Sequence, residues 1–103
     1  MKFYIKISSD ALADIQESTD WYNKRLPKLG TRFQKIVKRQ INGLKHNAYI
    51  YGVRYANVRC VLVKGFPFLI HFIIDDTSPV IEVFAIIHTS RNPKIWEQRN
   101  KNV

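Results

Sequence analysis

The stretch DWYNKRLPKLGTRFQKIV, residues 20–37, decides the fold because it joins two helical patterns across a single proline. Pro27 ends the first pattern and a second begins at once. Apolar residues recur at helical spacing before the proline, at Leu12, Ile15, Thr19, Tyr22 and Leu26, and after it, at Leu29, Phe33, Ile36, Val37, Ile41 and Leu44. Ser8 or Ser9 supplies the first N-cap. The pattern predicts a tight antiparallel helical hairpin.

Extended patterns flank this hairpin on both sides. FYIKI, residues 3–7, precedes it, and the segments YGVRY, VRCVLV, FLIHFIID and VIEVFAIIH follow it, separated by short turn-like sequences. Residues rich in Val, Ile, Phe and Tyr favour strands, and short connections favour an antiparallel meander. We therefore expect one α+β domain over residues 1–103, in the order β-α-α-β-β-β(-β). The hairpin packs on a mainly antiparallel sheet, and a short helical tail follows Pro93.

Alternation along the strands assigns their faces. Phe68, Ile70, Phe72 and Ile74 share one face of their strand, and Leu69, His71 and Ile73 share the other. In the last strand, Glu82, Phe84, Ile86 and His88 are predicted to share a face. One face of the sheet is expected to lie under the helices, and the other to form a partly covered concave surface.

The 103 residues carry 17 Lys and Arg against 8 Asp and Glu, a formal net charge of +9. Between positions 21 and 74 there are eleven basic residues and no acid. Such a surface attracts an anionic partner, either a nucleic acid or an acidic protein, although a basic and inert surface is the simpler alternative. We expect part of this charge to be neutralised by the acids of the first helix along the helix seam.

Several kinds of site are not indicated. Cys60 is the single cysteine, which excludes an intrachain disulfide and favours a small buried apolar residue. The three histidines, at 46, 71 and 88, lack metal-ligand spacing, and no glycine-rich loop precedes a helix, so neither a metal nor a nucleotide cofactor is expected.

Two of the histidines are expected to have structural roles. His71 is predicted to be a core histidine, and His46 is predicted to complement the helix dipole. No apolar run is long enough to span a membrane or to form a signal peptide, so a cytoplasmic protein is expected.

One constellation does suggest chemistry. Arg54, Arg59, His88 and Arg91 come from neighbouring strands and could converge at one edge of the sheet. Guanidinium groups hold a phosphodiester and an imidazole transfers a proton near neutral pH. The alternative is that the arginines make surface contacts and His88 ends a strand. Trp21, Tyr22 and Trp96 are expected to be packing residues, with Trp96 alternatively a partner-facing anchor.

Three segments together resemble one family. DWYNKRLPKLGTRFQKIV, RCVLVKGFPFLIHFIID and IIHTSRNPKIWEQR resemble the helical hairpin, the central strand pair and the closing motif of ParE/RelE toxins of type II toxin–antitoxin modules, the plasmid-stabilisation type. The resemblance spans about residues 3 to 99. It implies a toxin encoded beside an acidic antitoxin, which wraps the toxin and provides contact with operator DNA.

The resemblance leaves the mechanism open among three alternatives. A ParE-like inhibitor of DNA gyrase would act by protein binding, with Arg54, Arg59, Arg91, Trp96 and Arg99 as its binding residues. A RelE-like ribosome-dependent mRNA endonuclease would use Arg59 and Arg91 on phosphate and His88 as acid or base. A third possibility is an inactive toxin fold retained for antitoxin binding or autoregulation. The closing motif resembles the ParE-like side, and the chain lacks a second acid–base group, so binding is favoured over catalysis.

Overall fold

A computed structural model describes residues 3–91, 94, 98 and 99. Within them the chain forms strand β1 (Tyr4–Ile7), helices α1 (Ser9–Arg25) and α2 (Leu29–Asn47), a short 3-10 turn (Ala48–Ile50), and strands β2 (Val53–Tyr55), β3 (Val58–Leu62), β4 (Phe68–Asp75) and β5 (Val80–His88). The five strands form one sheet in the order β1-β5-β4-β3-β2. β1 pairs with β5 in parallel and every other pair is antiparallel. The predicted α+β fold is confirmed.

The two helices meet in the hairpin that the proline predicts. Ser8 caps α1 by accepting a 3.1 Å hydrogen bond from the Ala11 N–H. Leu26, before the proline, is extended and ends the helix. Asn23 then caps α2, since its Oδ1 accepts hydrogen bonds from the backbone N–H groups of Gly30 and Thr31, at 2.7 and 3.2 Å.

Gly30 allows the helices to approach closely. A Cβ at this position would lie 1.9 Å from the carbonyl oxygen of Thr19 on α1. Because no side chain fits in that space, the glycine fixes the separation of the helices at the start of α2.

The helices pack on one face of the sheet, where α2 contributes Phe33, Val37, Ile41 and Leu44 and the sheet contributes Val61, Ile70, Phe72, Ile81, Val83 and Ile86. The predicted stripe of α2 is confirmed. The stripe of α1 is only partly right, because Leu12 and Leu26 are 52% and 58% exposed and Ala11 takes the buried position. Trp21 and Tyr22 are both predicted from the sequence to be packing residues. The prediction is right for Tyr22, which packs against the core, and wrong for Trp21, which is 50% exposed.

A β-bulge in β5 overturns one predicted face. The pairing with β4 passes from Phe72↔Val83 to His71↔Ala85, so Phe84 is an extra residue. The alternation restarts after it. Glu82, opposite Ile73, therefore lies on the face away from the helices, and His88, opposite Phe68, lies on the helix side. The prediction that Glu82 and His88 share a face is wrong, which removes Glu82 as a partner for the imidazole.

The predicted neutralisation along the helix seam is also wrong. Between described residues, the salt bridges join Lys6 to Glu82 and Arg99 to Asp10 and Asp14. None joins α1 to α2; Asp14 and Glu17 of α1 instead line the cleft beside the end of β5. The described helices include none long and apolar enough to cross a membrane. Trp96 and most of the predicted tail lie outside the described residues.

Candidate functional site

A cleft of about 280 Å³ lies between α1 and the end of β5. We call it the β5 cleft; it is lined by Asp14, Glu17, Ser18, Trp21, Tyr22, Phe68, Ile86, Ile87, His88, Arg91 and Arg99. It exists because β1 is shorter than β5. The last pairing of β1 is Ile7↔Val83, after which the chain turns into α1 and leaves the second half of β5 without a strand neighbour on its β1 side.

Side chains satisfy this free edge of β5. The Asp14 carboxylate accepts a 3.0 Å hydrogen bond from the Ile86 N–H, and Arg99 donates to the Phe84 carbonyl oxygen at 3.2 Å. The same guanidinium donates to Asp14 at 2.9 Å. The hydrogen bond that Arg99 donates to Asp14 raises the pKa of Arg99. Arg99, predicted as a binding residue, is thus used to tie the end of the chain to α1 and β5.

His88 lines the cleft, and its Nδ1 contacts Ser90. Its Nδ1 accepts a hydrogen bond from the Ser90 backbone N–H at 3.1 Å and lies 2.8 Å from the Ser90 hydroxyl. Because a nitrogen that accepts from an N–H carries no proton, the neutral ring holds its proton on Nε2. The remaining ring nitrogen is therefore a hydrogen-bond donor, which does not suit a general base.

Arg91 is exposed beside this histidine, and its backbone N–H donates to the His88 carbonyl oxygen at 3.0 Å. His88 also stacks edge-on against Phe68, with ring centroids 5.1 Å apart. The structure therefore brings His88 and Arg91 together, as the sequence predicts.

Arg59 lies elsewhere. It is opposite Phe72 on β4, whereas His88 is opposite Phe68, four residues away, or about 13 Å along the strand. The Arg59 guanidinium donates to the Tyr51 carbonyl oxygen at 2.6 Å and lies 5.3 Å from the centre of the Tyr49 ring. It holds the 3-10 turn against β3. The predicted convergence of Arg59 with His88 and Arg91 is wrong.

Arg54 lies on the edge strand β2. Near it, on the face of the sheet away from the helices, is a cluster formed by Tyr55, Cys60 and His71. There the Nδ1 of the buried His71 is hydrogen-bonded to Tyr55 Oη, at 3.1 Å, and lies 3.4 Å from Cys60 Sγ. Burial, and then the positive charges of Arg54 and Arg99, lower the pKa of His71 to about 4. Burial raises the pKa of Cys60 to about 11, although Arg54 opposes it.

Much of the surface around this cluster is buried. Val58, Phe84, Ala85 and Ile87 are buried around it. The expected concave surface is therefore largely covered. At neutral pH the Cys60 thiol and the His71 ring are both uncharged.

Sequence reasoning missed the helical half of the β5 cleft. Asp14, Glu17 and Trp21 follow at i, i+3 and i+7, so they share one face of α1. Arg25 lies one turn further, with its guanidinium carbon 3.7 Å from the centre of the Trp21 ring. The spacing alone could have placed Trp21 on the acidic face rather than in the core. The described residues hold no cluster of three or more His, Cys, Asp or Glu suited to a metal ion.

Comparison with known proteins gives a consistent family. The family model described as "ParE toxin of type II toxin-antitoxin system, parDE" matches residues 5–93. No curated protein sequence matches the chain.

Solved structures share the fold at low sequence identity. The chain is similar to the chromosomal ParDE toxin–antitoxin system from P. aeruginosa, with 18% identity, a TM-score of 0.76, and 86% of this chain and 98% of that chain covered. It is also similar to a variant of the E. coli toxin RelE in which two arginines are replaced by alanine, in the free state. The identity is 11% and the TM-score is 0.73, with 100% of this chain and 99% of that chain covered. The RelBE2 complex from Mycobacterium tuberculosis matches at 15% identity and a TM-score of 0.63, covering 85% and 99%.

Proposed function

Because the chain belongs to the ParE toxin family of type II toxin–antitoxin systems, we propose that it acts by binding a protein target, DNA gyrase. A cognate antitoxin neutralises it. Both ParE-like and RelE-like structures share this fold, so the fold does not choose between gyrase inhibition and mRNA cleavage. The choice rests on the residues.

The separation of Arg59 from His88 carries the proposal. A nuclease site needs its phosphate-binding and proton-transferring groups around one reacting phosphate. Here the two residues are offset by four residues, or about 13 Å, along the strand direction, and the Arg59 guanidinium is already hydrogen-bonded to the Tyr51 carbonyl oxygen. The Nε2–H of the neutral His88 ring argues further against a general base. These features support binding rather than catalysis.

Addition of the purified chain to a gyrase supercoiling reaction tests the target. We expect supercoiling to stop at a low molar excess of the chain over gyrase, because the complex removes the enzyme. A topoisomerase of a different class serves as the specificity control. Unchanged supercoiling at a high molar excess would eliminate gyrase as the target.

We propose the β5 cleft as the place where the antitoxin anchors. Two of the structural neighbours are toxin–antitoxin systems or complexes. In this chain, Trp21 is half exposed beside the cleft with Arg25 stacked on it, and Trp and Arg are the residues that most often dominate binding energy. Arg91 at the cleft mouth and the overall charge of +9 attract an acidic segment.

Replacement of Trp21 tests this anchoring surface. Loss of a half-exposed anchor typically costs at least about 2 kcal/mol of binding, or about 30-fold in affinity. We expect Trp21→Ala to weaken binding of the protein encoded by the adjacent reading frame by that factor, measured by calorimetry. Leu62→Ala is the matched control, because Leu62 is 58% exposed on β3 and outside the cleft. Equal affinities of the two variants would place the antitoxin on another surface.

A further inference from the structure

The outer face of α2 is cationic along most of its length. Five basic residues line it at Lys28, Arg32, Lys35, Lys38 and Arg39, and all five are exposed. We call this set the α2 stripe. Arg32, Lys35 and Arg39 recur at i, i+3 and i+7, opposite the buried Phe33 and Val37. The stripe therefore points away from the core, and Lys28 to Arg39 spans about 16 Å.

The core and one polar contact hold this helix firmly against the sheet. Gln40 donates to the Leu62 carbonyl oxygen at 3.0 Å and accepts from the Lys64 N–H at 2.8 Å. Both bonds connect α2 with the end of β3. The stripe is thus carried by a helix that is fixed to the sheet. The backbone of α2 therefore needs little ordering when an anion binds.

No salt bridge within the described part of the chain neutralises the charge of the stripe. The chain has no Asp or Glu between positions 21 and 74, so the neighbours of these cations in sequence are also without acids. A row of like charges destabilises a helix slightly, which makes an anionic partner the most direct explanation of the pattern.

The stripe also lacks what a protein partner needs. Disordered acidic segments that fold on binding rely on apolar anchors. The large apolar side chains that are exposed, Tyr4, Leu12, Trp21, Leu26, Tyr49, Ile50, Val53 and Leu62, all lie outside α2. Contacts to a phosphate backbone, by contrast, come from Lys and Arg and require no apolar surface.

We propose that the α2 stripe binds the phosphate backbone of a nucleic acid, without sequence preference. This surface is separate from the β5 cleft, where Trp21 supplies the apolar anchor. The inference does not rest on gyrase as the target. It adds a second ligand class, so that one chain engages a protein through α1 and a polyanion through α2.

Fluorescence anisotropy of the isolated chain with labelled duplex DNA of two unrelated sequences tests the proposal, with an RNA of equal length as a further arm. Five phosphate contacts, one for each member of the stripe, predict that log K falls with log salt concentration at a slope of roughly −4.5 on duplex DNA. The triple variant R32Q/K35Q/R39Q should reduce the magnitude of that slope by about 2.7. Gln has a helix propensity close to those of Lys and Arg, so the helix is retained.

Lys6→Gln is the matched control, because Lys6 is an exposed cation on β1 and is paired with Glu82. It should leave the slope unchanged. Thermal unfolding of each variant confirms that all remain folded. Equal slopes for the wild type and the triple variant, or no binding of the wild type to DNA or RNA at 50 mM salt, would overturn the proposal. So would polyglutamate binding of similar strength that depends on the same three residues, since that result assigns the stripe to an acidic protein.

Discussion

Asp14 on α1 accepts a hydrogen bond from the backbone N–H of Ile86, at 3.0 Å, and so occupies the place of a missing strand neighbour at the edge of β5. Arg99 completes the arrangement by bonding both Asp14 and the Phe84 carbonyl oxygen. An unpaired N–H and C=O at a sheet edge invite pairing with another chain. Two side chains 85 residues apart in sequence thus close the sheet edge.

Removal of this carboxylate should destabilise the fold. Asp14→Ala leaves the Ile86 N–H without its acceptor and leaves Arg99 with only the Phe84 carbonyl oxygen and the more distant Asp10, so we expect a loss of about 2 kcal/mol in the free energy of unfolding, measured in urea. Asp14→Asn retains an acceptor and should lose about half as much. Asp10→Ala is the control, because Asp10 is exposed and 4.0 Å from Arg99, and should cost under about 0.5 kcal/mol. Equal effects at positions 10 and 14 would contradict this account of the edge.

The two glycines of α2 should respond in opposite directions to alanine. A Cβ on Gly30 meets the Thr19 carbonyl oxygen at 1.9 Å and forces the helices apart, at a cost of about 3 kcal/mol or more. A Cβ on Gly43 meets nothing within 4 Å, and alanine there should stabilise the helix by up to about 1 kcal/mol. Urea denaturation of both variants measures the difference. A Gly30→Ala chain as stable as the wild type would show that the hairpin is not packed this closely.

His71 predicts a pH dependence of stability. Its pKa is about 4 in the folded chain, against 6.5 in the unfolded chain, because burial and the charges of Arg54 and Arg99 oppose protonation. The unfolded state therefore gains protons first. Stability should fall as pH drops below 6.5 and level off near pH 4, with a total loss of about 3 kcal/mol. His71→Gln should remove this component of the pH profile.

Asp75 titrates in a separate pH range and so does not obscure the effect. Hydrogen bonds from Ser78 and Thr77 lower its pKa to about 2, from 3.8. The stability that those bonds contribute is present above pH 3.8 and is lost below it, towards pH 2. A wild-type profile that is flat between pH 6.5 and 4 would contradict the buried environment of His71.

The thiol of Cys60 should be unreactive in the native state. Its pKa of about 11, against 9.0 in a model thiol, implies about 100-fold less thiolate at pH 8 than an ordinary cysteine has. We therefore expect the reaction with a disulfide reagent at pH 8 to be at least about 100-fold slower in buffer than in urea. Similar rates in the two conditions would show that the thiol is open to solvent.

Regular periods in the sequence predict most of the fold. The run from Phe33 to Leu44 buries the expected face of α2, and alternation in β4 assigns Phe68 and His71 to the correct sides. Pro27 marks the hairpin because it blocks both a helical hydrogen bond and the helical conformation of Leu26. These features are local, so neighbouring residues determine them.

The candidate site was harder to predict because it depends on longer-range relationships. The bulge at Phe84 shifts His88 to the other face, and nothing in the alternation of β5 indicates where the extra residue falls. The distance between Arg59 and His88 follows from the registers of two strand pairs. The placement of Asp14 at the edge of β5 follows from the length of β1. Sequence reasoning could name His88 and Arg91 as neighbours because only two residues separate them.

The central claim is that this toxin acts by binding rather than by catalysis. A comparison of the growth arrest caused by His88→Ala with that caused by the wild type tests it most directly. The variant and the wild type are induced to equal protein levels in cells without the antitoxin gene, and the growth rate is measured. The account predicts the same arrest for both chains, since no step needs the imidazole. Normal growth with a His88→Ala chain that retains the wild-type melting temperature, together with mRNA cleavage by the wild type alone, would contradict it.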